Sequence, residues 1–170
     1  MRIGAAVAVA VAALAAAAPA AAQDRKAELQ QLAFETCPKV LDGSLSLDNP
    51  ADLATLGFAS TEPRETPAGK LPRAAKGSGT DKVVLSSGPK TCSLWFGGPD
   101  NASLAGGMIE RALALKWSGS TTPRRLGDGT MVFVFRDKVA KRSVVVILAD
   151  AGGELDFAPA TTVIVMNEKD

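Results

Sequence analysis

The chain has 170 residues, with 19 Lys and Arg against 18 Asp and Glu, and it contains no His and no Tyr. A formal charge of +1 excludes both the broad basic face that nucleic-acid binding needs and the clustered carboxylates of an acidic carrier. Without imidazole there is no Ser-His-Asp or Cys-His nucleophile pair and no His-based zinc, copper or haem site.

Residues 1–22 read as a bacterial-type export signal. Arg2 supplies the positive start, an Ala/Val/Leu run continues to Ala18, and Pro19 ends it before Ala20-Ala21-Ala22. Small residues then precede the polar Gln23-Asp24, so cleavage is expected after Ala22. The apolar run of about 15 residues falls short of the roughly 20 that span a bilayer, and no Cys follows the cleavage point to take a lipid. The expected product, residues 23–170, is a single domain, periplasmic or secreted, with no integral membrane span. Cleavage removes Arg2 and no acid, which leaves 18 charges of each sign.

Cys37 and Cys92 are the only thiols of this chain. In an oxidising compartment they are expected to form one disulfide, closing a loop of about 56 residues worth about 4 kcal/mol in the chain-entropy model. A redox role is not expected, because the Cys-x-x-Cys spacing is missing.

Along the mature chain, Asp24 to Thr36 carries apolar residues at helical spacing, continuing to Cys37 and Val40, with Pro38 expected to stop or bend the helix. Asn49-Pro50 marks the start of a short helix over Pro50 to Leu56, and Gly57-Phe58 fits its end. Residues 59–81 hold Pro, Gly, Ser and Thr with Leu71 as the one large aliphatic residue, and read as a long, polar, mobile loop. Lys82 to Ser86 and Lys90 to Phe96 read as a hairpin about Ser87-Gly88-Pro89. A helix capped by Asp100 or Asn101 then runs to about Lys116, with Gly106-Gly107 weakening it or admitting a close neighbour. After a possible strand at Arg124-Arg125 come three apolar strands, Thr130 to Phe135, Ser143 to Ala149 and Thr161 to Met166.

The fold class expected from this order is α+β: an antiparallel sheet of about five strands with a central helix packed on it and N-terminal helices tethered by one disulfide. The run Val144-Val145-Val146-Ile147-Leu148 is apolar at consecutive positions, so both sheet faces are expected to be covered. The favoured arrangement puts the 101–116 helix on one face and the N-terminal helix on the other. The alternative is a homodimer through an otherwise exposed face.

Catalytic and metal-binding combinations are poor. Asp48, Asn49 and Asp52 lack the spacing of a calcium loop, and Asp128 between two glycines reads as a turn. Ser87 and Lys90 have serine-lysine acylase spacing, but the intervening Gly-Pro forbids the helical turn that chemistry needs. Glu110 with Asp150, Glu154 or Asp156 offers carboxylates for glycan cleavage, with nothing that singles out a pair. Asn101-Ala102-Ser103 is a glycosylation acceptor sequence whose Asn is better used as a helix cap.

The reading that follows is a small exported, non-catalytic domain that binds a cell-envelope protein or ligand and takes no cofactor and no nucleic acid. Candidate contact residues are Trp95, Trp117, Arg73 and Lys76, the tryptophans for stacking and the cations for their place in the polar 59–81 segment. The alternatives are a carboxylate-dependent hydrolase of envelope glycans and a structural or assembly factor acting as a homodimer.

Overall fold

A computed structural model describes residues 23–67, 69–149 and 160–168. The expected export signal, the candidate acids Asp150, Glu154 and Asp156, and the chain end lie outside the described residues.

The first helix, α1, covers residues 23–41 and buries Leu29, Leu32, Ala33, Phe34 and Cys37. Pro38 does not stop it. The stretch Leu32–Thr36 is a π turn in which the Cys37 N–H reaches the Leu32 carbonyl, and Cys37–Leu41 resumes the α-helix. A widened turn just ahead of a proline accommodates a ring that otherwise collides with the carbonyl four residues back. The second helix, α2, is Pro50–Thr55. Its cap follows the sequence: Asn49 Oδ1 accepts from the Ala51 N–H at 3.0 Å. Gly57 takes φ +70° and lets the Phe58 N–H close the helix on the Leu53 carbonyl.

The strands are β1 (Ala59–Ser60), β2 (Arg64–Thr66), β3 (Gly69–Leu71), β4 (Arg73–Lys76), β5 (Val83–Gly88) and β6 (Thr91–Gly97). The third helix, α3 (Asn101–Ala114), precedes β7 (Ser118–Gly119), β8 (Arg124–Arg125), β9 (Met131–Asp137), β10 (Arg142–Ala149) and β11 (Ala160–Asn167). The antiparallel α+β class stands, but the sheet is larger than expected. It has nine strands in the order β1-β4-β5-β6-β11-β10-β9-β7, with β8 also on β9. The five strands read from sequence form its middle, and short strands extend both ends. Two of those come from the 59–81 stretch expected to be loop, which also holds the separate β2–β3 hairpin. Backbone pairing at a sheet edge needs no apolar side chain, so composition did not reveal it.

The C-terminal strand β11 lies between β6 and β10, so the centre of the sheet closes only when the end of the chain arrives. Connections on either side are tight. Gly88 pairs with Thr91 across Pro89-Lys90, and Asp137 Oδ1 accepts from the N–H groups of Val139 and Ala140 in the β9–β10 turn.

Both long helices pack on one face of the sheet, which corrects the expectation of one helix on each. Leu32, Phe34 and Cys37 of α1 and Leu104, Met108 and Ala112 of α3 share a single cluster with Leu85, Leu94, Phe135, Val144, Val146, Val163 and Val165. The two helices can share a face because they approach closely. A Cβ on Gly107 would run into the Lys26 side chain, and Gln30 Nε2 donates to the Gly107 carbonyl at 2.7 Å. Lys26 with Glu110 at 2.6 Å and Arg111 with Glu35 at 3.7 Å add ion pairs between them. Asn101 is not the helix cap: it is 2% exposed and its Oδ1 accepts from the Thr161 hydroxyl at 2.7 Å, which also hides it from glycosylation. Asp100, at the N-cap position, makes no side-chain cap bond.

Cys37 and Cys92 form the disulfide, fully buried, with Cα atoms 5.4 Å apart. It joins the middle of α1 to β6. Replacing both cysteines by Ala is expected to lower the unfolding free energy by about 4 kcal/mol in urea titrations; a midpoint unchanged from wild type contradicts a stabilising role.

Candidate functional site

The site follows from strand alternation and register. Side chains in one row across an antiparallel sheet point the same way, and neighbouring rows point oppositely. The row opposite the core contains Arg73, Ser86, Ser93, Ile164, Val145 and Val134. On one side of it run Ala75, Val84, Trp95, Thr162, Ile147 and Val132, ending at Arg124. On the other run Gly88, Thr91, Met166, Ser143, Arg136 and Ser118.

This outer face is apolar in the middle and cationic at its ends. Its strand positions carry three arginines and no acid. Glu168, just past β11, bonds Ser143 and pairs with Arg136 at 3.2 Å. The buried apolar residues of the helices all belong to the inner cluster, whereas the outer cluster of Val84, Trp95 and Ala160, with Ala75 against it, consists of strand residues alone. Ile164, Val145, Ile147, Val132 and Met166 are half-buried, and Val134 is 41% exposed.

The four candidate contact residues do not converge. Trp95 and Arg73 stand on the outer face, Trp95 only 7% exposed within its strand cluster. Trp117 is on the helix side, edge-on to Phe34 with ring centroids 5.5 Å apart, and serves packing. Lys76, three residues after Arg73 in the same strand, points to the helix side by the same alternation. It lines a cleft of about 700 Å³ with Asp24, Arg25, Glu28, Gly77, Asp81 and Val83.

The cleft is a fastening. Lys76 pairs with Glu28 of α1 and lies 4.8 Å from the centre of the Phe58 ring. Arg25 donates to the carbonyls of Thr80 and Gly97 at 2.8 and 2.9 Å and faces Asp81 at 3.6 Å. These bonds tie the start of α1 to the Gly79–Asp81 turn and to the ends of β4 and β6. Burial pushes the Lys76 ammonium below its ordinary range.

The chemical alternatives are spent structurally or lie elsewhere. Glu110 is paired with Lys26, and Ser87 and Lys90 flank a hairpin turn. Asp128 Oδ1 holds the Thr130 N–H in a turn, which keeps its carboxyl below the usual range, and Asp52 accepts from Ser46. Among the described residues no three acids or cysteines gather as a metal site.

What the sequence reading missed is the outer apolar patch of Val145, Ile147, Ile164, Met166 and Val134. Its signal was present in the unbroken apolar run 144–148, which marks both faces as apolar without saying which one the helices take.

Lys76 gives a pH test. With its folded pKa below the ordinary 10.5, the unfolded chain binds the extra proton in the window between the two values, so this group's contribution to stability rises with pH there. Lys76→Met is expected to flatten that rise in urea midpoints measured across the alkaline range; an equal rise in the variant contradicts it. The chain matches no protein family, no curated protein and no solved structure.

Proposed function

We propose that this is a non-catalytic domain exported to the bacterial cell envelope, where its outer sheet face docks an acidic, apolar-striped segment of an envelope partner. The observation that carries the reading is the outer face itself, apolar along its centre, with arginines as its only strand charges and no described helix on it. Export is supported by residues 1–22 and by the disulfide, which persists in oxidising compartments.

Charge favours a different partner over a second copy. In any face-to-face dimer of this surface, arginine meets arginine, because the one nearby acid, Glu168, is already paired with Arg136. Area points the same way. The five central strands at ordinary spacing and rise present roughly 400 Å², half of the roughly 800 Å² per partner of a stable interface. A segment with an apolar stripe and flanking carboxylates matches both the size and the charge of the patch.

The test places a photo-crosslinking residue at Val134 in the full-length chain expressed in cells. Val139, 96% exposed in the β9–β10 turn, is the control position. The expected result is a periplasmic adduct to an acidic envelope component at 134, absent at 139 and lost in Ile164→Asp. Equal labelling at both positions, self-adducts at 134, or a chain retained in the cytoplasm contradicts the proposal.

A further inference from the structure

The point at which export would open the chain coincides with a residue whose chemistry changes once its amine is free. Gln23 directly follows Ala22, is helical, and is exposed. In the precursor its nitrogen is an amide; after cleavage it becomes the amino end of α1. We infer that the mature protein carries a pyroglutamate at residue 23, an inference that rests on the export reading above.

The chemistry closes on this residue alone. The free-base α-amine attacks the Gln23 side-chain carbonyl carbon Cδ, so a bond forms between the α-nitrogen and Cδ. The bond from Cδ to Nε2 breaks, and Nε2 leaves as ammonia, taking up the proton that the amine gives away. No oxidant, reductant or second substrate enters.

The surroundings favour this outcome. An ammonium at the start of a helix faces the positive end of the backbone dipole, and Arg25 and Lys26 follow within one turn against the single acid Asp24. Both effects disfavour the charged amine and keep more of it as the nucleophilic free base. The lactam is neutral, so cyclisation removes a cation from the end of α1 that Arg25 and Glu28 fasten to the sheet. It also leaves no free amino terminus for an aminopeptidase.

The experiment is the intact mass and Edman degradation of the disulfide-bonded protein recovered from the periplasm after expression of the full chain, beside a Gln23→Ala variant. The expected result is a mass one ammonia below that of residues 23–170, blocked to Edman degradation, with the Gln23→Ala variant at its full mass and open to sequencing from its first residue. The full 23–170 mass with an open Gln amine that persists at neutral pH overturns the pyroglutamate and leaves the export reading intact. A chain that begins at Met1 or at another residue overturns the export reading, and the inference with it.

Discussion

The buried bond between Cys37 and Cys92 is the constraint on which the arrangement turns. It fixes the middle of α1 against β6, beside the strand that closes the sheet last. With α1 held there, and with α3 drawn to it across Gly107, both helices are committed to one face. The ion pairs of Arg25 and Lys76 then secure the free end of α1. A domain of this size buries its core well on one side of a sheet, and the other side is left to the strands themselves.

That one-sidedness explains where the candidate residues fall. Arg73 and Lys76 are close in sequence, yet odd spacing within β4 sends them to opposite faces, one into the outer rows and one into the α1 fastening. The tryptophans divide likewise: Trp95 alternates outward in β6, whereas Trp117 follows α3 and packs on Phe34. The functional reading therefore moves from a loop with aromatic neighbours to a sheet surface.

Much of the fold was legible locally. Asn49-Pro50 and Gly57 marked α2, the turn residues around Gly88 marked the β5–β6 hairpin, and the apolar runs located β9, β10 and β11. Each of these signals is a short-range steric or hydrogen-bonding preference. What was not legible depended on distant partners. The strands β1 and β4 exist because β5 offers its backbone edge to a polar stretch, and the π turn before Pro38 resolves a clash within a helix already held in place. The side of the sheet taken by α3 is set by contact with α1, which no window of sequence around either helix contains. Val144 to Leu148 announced two apolar faces, but only the packed structure separates the covered rows from the outer ones.

Neighbouring residues in β10 offer the most direct test. Val146 is fully buried under the helices and Val145 stands half-buried on the outer face. Unfolding free energies should show Val146→Asp costing about 4 kcal/mol or preventing folding, because a carboxylate is forced into the core, and Val145→Asp costing about 1 kcal/mol or less. Equal, large losses in both variants would mean that the outer face is as tightly covered as the inner one, and the account of a one-sided sheet with an open contact surface would fail.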